Sequence, residues 1–502
     1  MQQQGNQEGF LPTLMCMDEF ENRTVLLDDA TMVDPLQRTI LLKKSTEFES
    51  FKKLKIDRDL VRFFTKSDAL FKFFEELSFE QVTLEVLAKA DPYAEFGDHL
   101  RVLGELKLRY EEILASKGMI DRMFIPKNYR LNEGFLKSYD HIEIYLEGYL
   151  SHFELTLLQQ VANHTQVVLS YYTSRFTKKM QERFESCGIV LKEDCHITFD
   201  LGAKNILKST PIKEEINTLV YCVEERDEQV ALALMKIEEM VGEGVDPSEI
   251  VLVLPDESFK EHFMLFDHLN NLNFAMGYDY CHGRIVRSLE ALYNYWEKHD
   301  KKSQKLLERY GLGIEKIDAI AWVEHIGVQA FFTFLKLLGL EEKQKNEDVE
   351  LVKYHFETLF NQETFTYKVW LYLWLQALSK VTLDDVRGGK VTVMGALETR
   401  GVSFRGVVIV DFNDGVIPAT PRKDMFLSST VRAFSGLPTR QDREALQKQI
   451  YNRLLQQAER SVIIYATSEN RLPSKFLYEL GLSEVVQTKA PVHLLYSPSS
   501  QL

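Results

Sequence analysis

Apolar residues recur at intervals of three and four between Thr39 and Leu87, with Leu60, Phe63, Phe64, Leu70, Phe71 and Phe74 on one stripe. That spacing predicts core-facing helix. A second helical stretch is predicted from Tyr93 to Lys117. Beyond Gly118 and Pro126 the period changes, predicting a strand over Ile142 to Leu146, a helix over Phe153 to Ala162 and a strand over Val167 to Tyr171. Strand, helix, strand is the repeating unit of a parallel sheet covered by helices. The unit returns at Leu219 to Val223, Asp227 to Val241 and Ile250 to Leu254, the last strand closing on Pro255-Asp256 before a helix over Ser258 to Leu269. Between Ser288 and Lys380 the alternation stops and the chain reads as helical, with Trp370 and Trp374 one turn apart as core residues rather than a base-stacking platform. Strands resume after Gly388-Gly389, at Val391 to Met394, Gly406 to Asp411 and Ser461 to Ala466, the last preceded by a helix over Asp442 to Glu459.

The pattern predicts an α/β protein: parallel sheets covered by helices, with an all-helical insert. Residues 1–200 form an N-terminal domain, 201–287 and 381–490 a second sheet domain, 288–380 the insert and 491–502 a tail. The 502 residues suit about three packed units at typical domain sizes. A net charge of -15 excludes a uniformly basic, nucleic-acid-coating surface but leaves room for a local basic channel. The five cysteines form no C-x-x-C pair, so neither a disulfide framework nor a zinc ribbon is encoded. Cys195-His196 and Cys281-His282 read as core neighbours, since nothing in their spacing supports a metal. The opening MQQQGNQEGF lacks the features of an export signal, and no run of 18 apolar residues occurs, so a cytoplasmic protein is expected.

Tests for catalytic motifs return little. GAKNILKST places Gly202, Lys208 and Ser209 at phosphate-loop spacing, but Leu207 replaces the second glycine that lets backbone approach phosphate, so a lysine-rich linker is the expectation. Glu147 ends a predicted strand alone, where a magnesium-dependent NTPase would place an acidic pair; a solvated strand end fits better. In PDESFK the lysine, Lys260, follows Glu257 by three positions rather than the two a metal nuclease needs, and a helix turns it away. No nucleophile elbow stands out.

From Val391, the segment VTVMGALETRGVSFRGVVIVDFNDGVIP resembles the motif written VTVMTIHKAKGLEFDVVFVVGLNEGVFP in superfamily 1 DNA helicases of the RecB and UvrD kind. Farther on, DREALQKQIYNRLLQQAERSVIIYA resembles the next helicase motif, whose E-x-x-R-L-x-Y-V-A-x-T-R-A core supplies an arginine to the γ-phosphate. Leu397 stands in the histidine position, Ser403 in that of a glutamate, and Gln456 or Gln457 in that of the arginine, so no guanidinium is available there for transition-state charge. The variant Gly395-Ala396-Leu397-Glu398-Thr399-Arg400-Gly401, with FLSS, LPT-x-x-DRE-x-LQ and the opening GFLPTLMCMDEF, resembles the AddB-type subunits of bacterial AddAB helicase-nucleases over roughly residues 9–480.

The resemblance implies RecA-type helicase domains, the second of them 2A-like and the insert 2B-like. It implies a chain that has lost its motor and serves as a DNA-gripping scaffold beside an AddA-type partner, in double-strand break processing. ATP and magnesium are then used by the partner, and none by this chain. The family carries a phosphate-loop remnant before GFLPT and a PD-(D/E)xK nuclease domain at its end, so a fragment of a longer protein is expected. Basic residues concentrate between Arg400 and Arg443 against the acidic total. Arg400, Arg405, Arg422, Lys423, Arg432 and Arg440 are therefore the candidate phosphate contacts, with Thr399 and Thr439 added by analogy with the helicase motif. Two alternatives stay open: an ATP-driven DNA helicase, and a pure protein-interaction module.

Overall fold

A computed structural model describes residues 12–90, 97–212, 216–318, 324–340, 346–385, 387–419, 424–482 and 488–489. The chain divides into two units. The first takes the residues up to Val33, Ala69–Pro211 and Thr430–Leu437; the second takes Asp34–Asp68, Ile212–Ser429 and the chain from Pro438 on. No helix among the described residues is long and apolar enough to cross a membrane.

The first unit is built on a four-stranded sheet in chain order: β1 (His141–Leu146), β2 (Gln166–Tyr172), β3 (Cys195–Asp200) and β4 (Asn205–Pro211). As the periodicity predicts, β1 and β2 are parallel, joined by α1 (His152–Val161), whose start is fixed by a capping box between Ser151 and Glu154. Val167, Leu169, Tyr171, Ile197 and Phe199 point to one face and pack with Leu155 and Leu158 of α1 and with Met180 and Phe184 of α2 (Lys178–Ser186). On the other face Glu143 and Tyr145 are exposed. The sheet differs from a RecA-type parallel one, because β2–β3 and β3–β4 are antiparallel. For β3–β4 the cause is local: Asp200 accepts a bond from Ala203 N–H at 2.8 Å, Lys204 takes φ 54°, and a turn this tight joins only antiparallel strands. GAKNILKST is thus the tip and return of a β-hairpin rather than a linker.

The second unit carries a wholly parallel sheet flanked by helices, as expected. Its strands are β5 (Thr218–Val223), β6 (Ile250–Val253), β7 (Leu272–Phe274), β8 (Val391–Met394), β9 (Gly406–Ile409), β10 (Arg460–Ala466) and the short β11 (Thr488–Lys489). They lie in the order β7-β8-β6-β9-β10-β5-β11. Ile250, Leu252, Val408, Val462 and Ile464 pack with Val230, Leu234 and Ile237 of α3 (Glu228–Gly242) and with Phe263 of α4 (Lys260–Phe266). Val251, Val253, Val407 and Ile409 alternate to the opposite face and are equally buried, which is why these strands read as unbroken apolar runs. The chain steps toward one edge after β5 and β6 and back after β7, so right-handed crossovers lay helices on both faces.

The insert contains α5 (Arg284–Lys298), α6 (Lys301–Arg309), α7 (Val328–Leu337), α8 (Glu347–Leu359) and α9 (Tyr367–Leu378). Trp370 and Trp374 are buried among Phe331, Phe332 and Phe356, and Trp370 Nε1 donates to the Ile326 carbonyl at 2.8 Å. The insert is not all-helical: His325–Gly327 pairs antiparallel with Thr364–Thr366, each segment too short to show a period of two. Ile40 and Phe64, from the early part of the chain, belong to the same core. Where the chain returns to the sheet, burial pushes the Asp385 carboxyl up, but bonds from Arg387 and from Phe274 N–H hold it down at about 2. Gly389 is required beside it, since a Cβ there would overlap the Leu272 carbonyl.

In the first unit, burial lifts the Glu21 carboxyl to about 7 against the pull of Arg122, with Glu154 and Asp18 adding to the rise. A pKa raised in the folded state gives stability that is complete below the unfolded value of 4.5 and is lost as pH rises through 7. Melting temperature between pH 4.5 and 8 is therefore expected to decline more steeply for the native chain than for Glu21→Gln; equal slopes in the two would contradict this.

Candidate functional site

Ligands of open parallel sheets bind beyond the carboxyl ends of the strands, where successive connections leave to opposite faces. In the second unit that edge is closed by its own side chains. Asp411, just beyond β9, has no exposed surface and adopts φ 51°. Arg226, in the loop after β5, donates to it through Nε at 2.9 Å and through Nη2, and the same Nη2 reaches Asp256, beyond β6, at 2.8 Å. Gln229 at the start of α3 completes the cage, giving Nε2–H to Asp411 Oδ1 and accepting the Asp411 N–H, both at 2.8 Å. The guanidinium lies 4.3 Å from the centre of the Phe259 ring. Burial opposes the charge on Arg226, but the bonds to Asp411 overcome it and the pKa is raised. Asn413, two residues on, bonds the Ala466 and Leu472 carbonyls at 2.7 and 3.0 Å and ties β9 to the end of β10.

Beside this clamp the edge is acidic. Burial, reinforced by the Glu398 carboxylate, raises the Glu257 pKa. Both carboxylates crowd Gly395 where β8 ends: a Cβ there would meet the Glu398 carboxylate, which would have to swing aside, and stand 3.0 Å from Glu257. Lys260 of the PDESFK segment is engaged elsewhere, donating to Asp279 at 3.0 Å and to the Gly277 carbonyl at 3.3 Å. Lys208 sits on the exposed strand β4 opposite Thr198, with no helix N-terminus after its turn, which removes the geometry a phosphate loop requires. Leu397 and Ser403 are exposed, and Gln456 and Gln457 end α10 (Arg440–Gln457).

The described candidate phosphate contacts differ in exposure and in the partners they hold. Thr399 is buried and its hydroxyl donates to the Ala396 carbonyl at 2.7 Å. Arg400 is exposed, with Nε on the Leu397 carbonyl at 2.8 Å. Arg405 bridges Glu249 at 3.1 Å and Glu459 at 2.8 Å; the Glu459 bond contributes most to its raised pKa. Thr439 caps α10 through Asp442, and Arg440 pairs with Glu444 at 2.8 Å while its side chain stays 64% exposed. Arg432 belongs to the first unit, where both its terminal nitrogens hold Glu76 at 2.9 and 2.6 Å. Arg422 and Lys423 lie outside the described residues. Arg400 and Arg440 are thus the exposed guanidinium candidates in the second unit.

Arg226, Asp256, Asp411 and Gln229 were missed in the sequence. The test applied to Glu147, an acid at a strand end, selects Asp256 and Asp411 equally well, but their cation is 185 residues from Asp411. Cys195 points into the core while His196 bonds Ser170 on the other face, so these two cannot share an ion. Cys281 and His282, read as core, are half-buried and exposed instead, and lie close to Asp279. Neither a scan against protein-family models nor a search of curated proteins finds a match.

Removing one partner of a buried pair strands the other charge, so Arg226→Met should lower unfolding free energy by about 3 kcal/mol in urea titration. Arg405→Ala, which breaks only solvated pairs, should leave the midpoint nearly unchanged. Equal effects of the two substitutions would refute the clamp.

Proposed function

We propose that this chain is a non-catalytic, helicase-like DNA-binding scaffold of a cytoplasmic helicase-nuclease that processes double-strand breaks, working beside an AddA-type motor subunit. The observation that carries the reading is the closed edge of the parallel sheet. A nucleotide triphosphate needs cations and free backbone donors there. Arg226 is held by Asp411 and Asp256, and the neighbouring groups are the carboxylates of Glu257 and Glu398. Leu397, Ser403 and Gln456 or Gln457 in the eroded motif positions support the same loss of a motor.

The DNA part of the proposal rests on the resemblance of the Val391–Ala466 region to helicase motifs, with Arg400 and Arg440 as its exposed cations. Phosphate contacts release counterions, so affinity falls with salt, with a log–log slope of about -0.7 per phosphate on single strands. Anisotropy of a labelled single-stranded oligonucleotide should give salt-dependent binding. The combined Arg400→Glu, Arg422→Glu and Arg440→Glu variant should weaken it roughly tenfold or more and flatten the slope by about 2. Binding indifferent to that charge reversal would remove the surface assignment, and no binding at low salt would favour a pure protein-interaction module.

A further inference from the structure

Three chemically different ligand groups meet where the chain leaves the parallel sheet for the helical insert. Tyr278–Asp279 pairs antiparallel with Thr382–Leu383, and the 3-10 turn Tyr280–His282 follows immediately. Side chains at i and i+3 eclipse in a 3-10 turn, which sets Asp279 and His282 on one side with Cys281 next to them. A carboxylate oxygen of Asp279, the thiol of Cys281 and a ring nitrogen of His282 all lie within 4.8 Å of one another.

Two of these groups are already held from behind. Lys260 Nζ donates to Asp279 Oδ2 at 3.0 Å, leaving Oδ1, and His282 Nδ1 lies 3.2 Å from Glu261 Oε1. The Glu261 carboxylate beside Nδ1 favours the tautomer that carries its proton there, which leaves the lone pair of His282 on Nε2. Lys260 and Glu261 are consecutive at the start of α4, and Lys260 is itself buried and anchored on the Gly277 carbonyl. A carboxylate behind an imidazole and a donor on a carboxylate's second oxygen are the contacts that orient metal ligands.

We propose that Asp279, Cys281 and His282 bind a divalent transition ion of the Zn²⁺ class. One oxygen, one sulfur and one nitrogen suit Zn²⁺ or Co²⁺, whereas Mg²⁺ and Ca²⁺ take oxygen. The Asp279 and His282 side chains keep 40% and 41% of their surface exposed, so an ion enters from solvent and water completes the tetrahedron. As the sulfur–metal bond forms, the Cys281 thiol gives its proton to solvent, so binding releases a proton. The bound ion ties down the segment next to the Tyr278–Asp279/Thr382–Leu383 pair, at the root of the insert. This inference is independent of the DNA-scaffold reading.

The test is titration of the full chain with Co²⁺. A thiolate-to-cobalt charge-transfer band in the near ultraviolet should grow to saturation at one ion per chain, be erased by Cys281→Ser and be bleached by added Zn²⁺. Glu261→Gln, which alters only the outer contact, should keep the band but weaken Co²⁺ affinity by about 10- to 100-fold. If Cys281→Ser does not fold, as judged by circular dichroism, the Glu261→Gln shift decides. No band in the folded native chain, a band of equal strength in folded Cys281→Ser, or unchanged affinity in Glu261→Gln would each overturn the site.

Discussion

A carboxylate with no exposed surface is tolerated only if its charge and lone pairs are met in place, because desolvation costs several kcal/mol when they are not. Asp411 meets that condition through Arg226 and Gln229, and three strand ends are organised as a result. Arg226 leaves β5, Asp411 leaves β9 and Asp256 leaves β6, so one guanidinium joins segments that are far apart in sequence. The left-handed backbone at Asp411 turns its amide toward Gln229, and Asn413 continues the tie to β10. At this edge of the sheet Asp411 and Gln229 are buried, while Arg226 and Asp256 are partly exposed and already paired.

The constraint carries over to function. An edge whose cation is already paired, with further carboxylates beside it, offers a polyanionic nucleotide little, and the segments that resemble helicase motifs fall on the same unit. The proposed binding role rests on these features. What surface remains for phosphate is modest: most of the described basic candidates already hold an acidic partner, the Arg432–Glu76 pair being largely buried, while the exposed pairs of Arg405 and Arg440 are easily exchanged in solution.

The second unit's sheet was legible because its strands are buried on both faces and so read as short, continuous apolar runs between glycine and proline turns. The βαβ unit of the first sheet was legible for a different reason, a strand that alternates exposed and inward residues followed by a helix that the Ser151 to Glu154 capping box starts. The hairpin of β3 and β4 was not, since its direction is decided by one Asp200 to Ala203 bond and one left-handed lysine rather than by periodicity. Arg432 illustrates another limit: it lies within a basic stretch of sequence, yet Val431 is buried and Glu76 takes the guanidinium, so the segment belongs to the other unit. The clamp itself depends on a partner 185 residues away, which no local pattern encodes.

The central proposal, that this chain binds DNA without driving it by ATP hydrolysis, is tested most directly by ATP hydrolysis of the purified full chain with and without single-stranded DNA. The account predicts no turnover above background and no stimulation by DNA. DNA-stimulated hydrolysis that persists through purification and is unaffected by removing trace contaminants would contradict it.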